Sequence, residues 1–128
     1  MTPLEIAYAA AKHARGAHEW PEFDVPGGKV VVNPDATLAI VYTDGRYPAQ
    51  EEGYHLNERI TETEEVLWGA AVVEFLHPQA LQVMQVGDVV RLLPGRPYSV
   101  SGKCVSLIHM DPPWDARQKS FVQADLVA

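Results

Sequence analysis

The stretch GDVVRLLPGRPYSV, Gly87–Val100, decides how this chain is read. A β-branched run around Val89 and Val90 meets the turn Pro94-Gly95, and the chain leaves that turn through Tyr98 into a second apolar run. Strand, turn, strand is its plainest reading, and the segments on both sides repeat it. Downstream lies CVSLIHM (Cys104–Met110). Upstream lie ALQVMQV, AAVVEF, EEVLW and YHLN, then TLAIVYT (Thr37–Thr43) and KVVV (Lys29–Val32). Breaks at Pro21, Pro26, Gly27-Gly28, Asn33-Pro34, Asp44-Gly45 and Pro48 separate the early segments, and His77-Pro78-Gln79 reads as a hairpin connection. Short strands at close spacing predict an all-β antiparallel sandwich or barrel.

The N-terminus departs from this pattern. Thr2 can cap a helix, Pro3 suits its first position, and Glu5 stands where a capping-box acid reaches back. Leu4, Ala7, Tyr8 and Ala11 share one helical face and Gly16 is a stop, which predicts one short helix over about residues 3–15, packed on the sheet.

The totals narrow the possible classes. A chain of 128 residues reads as a single domain, 1–128, and it can bury roughly two thirds of the surface its unfolded form exposes. Apolar residues make up 47% and charged residues 21%, as in a soluble globular protein. The start MTPLEIAYAAAKHARGA has an early acid and lacks the apolar core of a signal peptide. No apolar run approaches the ~20 residues of a membrane span. A single cysteine, Cys104, excludes an internal disulfide and fits a cytoplasmic location; it reads as buried apolar filler. A net charge of −7, with scattered basic residues, argues against a nucleic-acid partner.

Two separated stretches resemble the two halves of the cupin signature. HLNERITETEEVLWG sets His55 and Asn57 at the family's His-x-His positions, Glu62 at its acid and Gly69 at its closing glycine. In GDVVRLLPGRPY, Gly87 and Pro94-Gly95 match the second motif, Leu93 stands in place of a proline, and Tyr98 stands where the family usually has its last metal-binding histidine. The resemblance implies a cupin-type antiparallel β-barrel, also called a double-stranded β-helix or jelly roll, with its core over about residues 29–114. It also implies a homodimer.

Physical reasons accompany the motif positions. Residues two apart in a strand face one side, so His55 and Asn57 share a direction. Glu62 can reach the same point from the next strand, and Gly69 and Gly95 permit tight turns. The family's metal site is typically three histidines and one glutamate, a set suited to iron, manganese, nickel, copper or zinc. Here the matching positions hold His55, Asn57, Glu62 and Tyr98. Asn is a weak neutral ligand and a phenol binds well only when deprotonated, so the expectation is a pocket with no tightly bound metal. An atypical metal set would need His55, Glu62 and His109 or Tyr98, with His109 turned inward from its strand. His77, His13 and His18 read as solvated.

Glu51, Glu52, Glu58, Glu62, Glu64 and Glu65 crowd one interval. A solvated strand edge explains such a run, with Glu62 as the inward exception. The sharper alternative sends Glu62 and Glu64 into the cavity together, where each would raise the other's pKa. Trp68, Trp114 and Tyr54 are pocket candidates, or core.

Three functional expectations follow. The first is a small-molecule-binding cupin whose pocket uses His55, Asn57, Glu62, Tyr98 and His109. The second is a metal-independent isomerase or epimerase with His55 as base and Tyr98 as partner acid. The third is a metal-dependent oxygenase or isomerase on the atypical ligand set.

Overall fold

The computed structural model describes residues 1–124. Helix α1 (Pro3–Ala14) begins on a reciprocal cap: Glu5 N–H donates to Thr2 Oγ1 at 3.1 Å, and Thr2 N–H donates to Glu5 Oε1 at 3.0 Å. It buries Leu4, Tyr8 and Ala11, the face expected from their spacing.

Nine strands follow among the described residues: β1 (Glu22–Val25), β2 (Gly28–Val32), β3 (Leu38–Tyr47), β4 (Tyr54–Asn57), β5 (Thr61–Phe75), β6 (Ala80–Gln85), β7 (Val89–Leu92), β8 (Tyr98–Asp111) and β9 (Lys119–Val122). All pairings are antiparallel. The order β1-β2-β3-β8-β4-β9 forms one path, while β5 runs along β8 and also pairs β6 and β7. The sheet curls into a barrel with α1 on its outer face.

Three expectations need correction. EEVLW and AAVVEF are one strand, β5, and YSV and CVSLIHM are one strand, β8. Gly69 does not make a turn; it sits inside β5, where a Cβ would stand 2.1 Å from the Lys103 carbonyl oxygen. Gly102 plays the same part in β8, 2.5 Å from the Ala70 carbonyl oxygen. These glycines allow two backbones to approach closely, and they punctuate the sequence without ending a strand. Outside residues 29–114, β1 and β9 add a strand at each end of the sheet's path.

Strand phase then assigns the faces. On β3, Ile40 lies with α1 while Ala39, Val41 and Thr43 line the interior. On β8, Val105 and Leu107 lie under α1 while Tyr98, Val100, Ile108 and Met110 face inward. β5 changes phase midway. A bulge between Val66 and Trp68 puts Glu62, Glu64 and Val66 inside before it, and Ala71, Val73 and Phe75 inside after it. Cys104 of β8 is buried, and burial pushes its thiol up to about 11. No helix among the described residues is long and apolar enough to cross a membrane.

Candidate active site

The barrel encloses a cavity of about 530 Å³. Most of its wall is apolar: Val30 and Val32 from β2, Ala39 and Val41 from β3, Ile108 and Met110 from β8, and Trp114 from the segment after β8. Five polar side chains meet on the same wall. β3 brings Tyr47, β4 brings His55, β5 brings Glu62 and Glu64, and β8 brings Tyr98. Antiparallel register makes the meeting possible. His55 pairs with Tyr98 across β4 and β8, while Glu62 and Glu64 face Met110 and Ile108 across β5 and β8.

The Tyr98 hydroxyl donates to Glu62 Oε2 at 2.8 Å. His55 stacks on the Tyr98 ring, with centroids 5.2 Å apart and planes at 28°. Both of its nitrogens are occupied: Nδ1 lies 2.9 Å from the Tyr47 hydroxyl and Nε2 lies 3.0 Å from Asn57 Oδ1. Asn57 Oδ1 also accepts from Gln118 Nε2 at 2.9 Å. Gln118 Oε1 in turn accepts the backbone N–H groups of Glu58, Arg59 and Ile60 at 3.0, 3.2 and 3.4 Å.

Burial shifts the charges of these groups. It lowers His55 to about 4, so the imidazole is neutral at neutral pH. It raises Glu64 to about 7; the Glu62 charge pushes the same way, and the Ser106 hydroxyl pulls back. Glu62 is also raised by burial, against the hydrogen bond from Tyr98. The phenols of Tyr47 and Tyr98 are raised, chiefly by burial and then by Glu62.

The structure therefore brings His55, Glu62 and Tyr98 together as expected, and it changes the rest of the expected set. Asn57 is buried behind His55, where it meets the ring and Gln118 and does not line the cavity. His109 is exposed, because it alternates with Ile108 and Met110 on a continuous strand. Glu62 is inside as expected, and Glu64 is buried with it, so the edge explanation of the acidic run fails for Glu64. Trp114 lines the cavity; Trp68 is 36% exposed, and Tyr54 lies beneath the Arg46 guanidinium. Tyr47 and Gln118 were not anticipated. Tyr47 has the signal of its phase with Ala39, Val41 and Thr43, provided β3 continues through Asp44-Gly45. For Gln118, nothing in the local sequence marks the role.

These donors do not suit a divalent ion. Both imidazole nitrogens are engaged, Glu62 and Tyr98 bind each other, and His109 points away. No group of three His, Cys, Asp or Glu side chains among the described residues is arranged to hold a metal.

No protein-family model and no curated protein matches the chain. Solved structures do. A variant of Streptomyces PAC13 with uridine aligns with a TM-score of 0.70 at 17% identity, over 84% of this chain and 87% of that one. Pac13 is described as a nucleoside dehydratase. Drosophila melanogaster CENP-C bound to CAL1 aligns with a TM-score of 0.63 at 17% identity, over 84% of this chain and 97% of that one. Bacillus subtilis oxalate decarboxylase gives 0.63 at 16% identity, over 83% of this chain and 31% of the longer protein. An oxalate decarboxylase, a nucleoside dehydratase and a protein bound to CAL1 share this barrel, so the likeness speaks for fold alone.

Proposed function

We propose that this chain, whose fold is a cupin-type β-barrel, binds a small organic molecule in the barrel and moves a proton on it without a resident metal, as a lyase or isomerase does. One observation carries the reading: two adjacent carboxyl groups, Glu62 and Glu64, are buried side by side facing an otherwise apolar cavity of about 530 Å³. Placing two acids there is costly for folding, since burial disfavours the ionised form. Acids held this way are suited to exchanging protons near neutral pH.

Glu64 is the preferred proton acceptor, because Glu62 is committed to Tyr98 and His55 is held at both nitrogens. The abstracted proton goes to the Glu64 carboxylate. The C–H electron pair passes to an adjacent carbonyl, or expels a hydroxyl that leaves as water with the proton Glu64 has taken. The uridine complex and dehydratase activity of the Streptomyces neighbour make nucleosides and sugars the first compounds to try.

The test screens such compounds by thermal shift, then measures deuterium incorporation from solvent into any that bind. Exchange that disappears in Glu64→Gln while binding persists is expected. Exchange untouched by that substitution would sink the assignment of the base. The homodimer implied by the resemblance stands as a companion proposal. Its support is the exposed apolar row on edge strand β6, Leu81 and Val83, and sedimentation equilibrium tests it.

A further inference from the structure

The hydrogen-bond chain behind the cavity wall has one end that cannot be reversed. Gln118 Oε1 accepts from the backbone N–H groups of Glu58, Arg59 and Ile60, and a backbone N–H can only donate. The amide of Gln118 is thereby held in one orientation, so Nε2 is the atom facing Asn57. A donor there requires Asn57 to present Oδ1. Asn57 Oδ1 in turn requires His55 Nε2 to carry the proton, which leaves Nδ1 with its lone pair. The Tyr47 hydroxyl, 2.9 Å from Nδ1, must then give its proton to the ring. Each step follows from the one before, starting at three backbone amides. Gln118, Asn57 and His55 are all fully buried, so water does not offer an alternative order.

The consequence reaches the cavity surface. Tyr47 spends its proton on His55 and Tyr98 spends its proton on Glu62, so both phenol oxygens face the cavity with lone pairs only. Glu64 adds a further acceptor once it is ionised, above about pH 7, which is where the ligand probes below are compared, and Glu62 takes the proton of Tyr98. Against Asp24, Glu62 and Glu64, Lys119 is the one cationic side chain among the lining residues. We infer that Gln118 is a positioning residue that sets the proton order of the wall, and that the wall accepts a neutral ligand donating from hydroxyl groups while disfavouring anions. The ligand half of this inference rests on the small-molecule reading above. The proton-order half does not.

Long-range proton–nitrogen NMR on uniformly labelled protein, without ligand, tests the order. Wild type is expected to show His55 with a protonated Nε2 and an unprotonated Nδ1; the reverse tautomer overturns the inference. Gln118→Glu keeps the shape and the three backbone contacts, which hold the new carboxylate ionised. It offers Asn57 an acceptor where Gln118 offered a donor. Asn57 is expected to turn its amide, and His55 to switch to the Nδ1–H tautomer, so that Tyr47 regains a proton for the cavity. An unchanged tautomer in this variant removes Gln118 from its role. Should Gln118→Glu fail to fold, Tyr47→Phe serves, because it takes away the far end of the chain. The tautomer is expected to stay as in wild type, and a switch would mean that the order runs from Tyr47 instead.

The ligand class is tested with benzyl alcohol, benzaldehyde and benzoate, three probes of similar size that present a donor, an acceptor and an anion. In NMR titrations wild type is expected to bind the alcohol roughly tenfold or more tightly than the other two, since each would leave wall acceptors unpaired. Equal or tighter binding of benzaldehyde or benzoate, or no response to the alcohol, overturns the ligand class and leaves the tautomer result standing. Preference for the alcohol without solvent exchange on any ligand would sink the proposed chemistry and keep this inference.

Discussion

The two faces of one curled sheet do opposite things with the same strands. Beneath α1, Ile40, Val105 and Leu107 pack with Leu4 and Tyr8 into a filled apolar layer. On the other face, one residue away along β3 and β8, the strands leave a cavity of about 530 Å³ and bury His55, Glu62, Glu64 and Tyr98 around it, with Tyr47 half-buried beside them. Alternation lets the chain separate the two tasks: one face supplies stability, and the other holds groups that folding alone would exclude. Substitutions one residue apart should therefore behave differently.

The largest contrast is expected at Ile40, which is fully buried. Ile40→Ala should cost about 2–5 kcal/mol in denaturant unfolding. Val41→Ala, on the cavity side, removes a side chain that already borders open space, and its cost should be less than half as large. Equal losses would break the contrast.

Next comes pH. The native pKa of Glu64 is about 7 against an ordinary value of 4.5, so the native state holds the proton longer and stability falls as pH rises from 4.5 to 7. At about 1.36 kcal/mol per unit, the effect is about 3 kcal/mol. His55, lowered from 6.5 to about 4, works in the other direction: stability falls as pH drops from 6.5 to 4. Glu64→Gln should reduce the first slope to the part that belongs to Glu62, whose carboxyl burial also raises, and leave the second, giving a variant more stable than wild type at pH 7 in urea titrations. A variant less stable than wild type at pH 7 would mean that Glu64 is not strained by burial.

Smaller effects belong to the surface. Thr2→Ala should cost about 1 kcal/mol through the lost cap of α1, measurable as a lower denaturation midpoint. The exposed pair of Arg117 and Asp115, 2.8 Å apart, should matter least, with Arg117→Ala leaving the urea midpoint where it is in wild type.

How much could be read from the sequence depended on whether strand phase was kept. The helix cap, β4, β6, β7 and the Pro94-Gly95 turn were all legible, because each rests on a local pattern. So was the convergence of His55, Glu62 and Tyr98, through motif spacing. The failures come from strands read as broken. Splitting β8 at Gly102 lost the count between Tyr98 and His109, which lie an odd number of residues apart and so face opposite sides. Ending β3 at Asp44-Gly45 hid Tyr47. The bulge after Val66 shifts β5 by one position, which no count along the sequence anticipates. Gln118 was out of reach for another reason: its partners Glu58, Arg59 and Ile60 are distant in sequence, and backbone amides carry no residue signature.

The buried thiol of Cys104 has a practical consequence. It is the chain's only cysteine and sits inside the barrel on β8, with its ionisation suppressed by burial. A thiol reagent in solution can attack it only in the fraction of molecules whose central strand has come loose. The labelling rate of native protein is thus a built-in clock for barrel opening. A ligand that occupies the interior and holds the strands together would slow that clock, so the natural occupant could be sought without knowing its chemistry in advance.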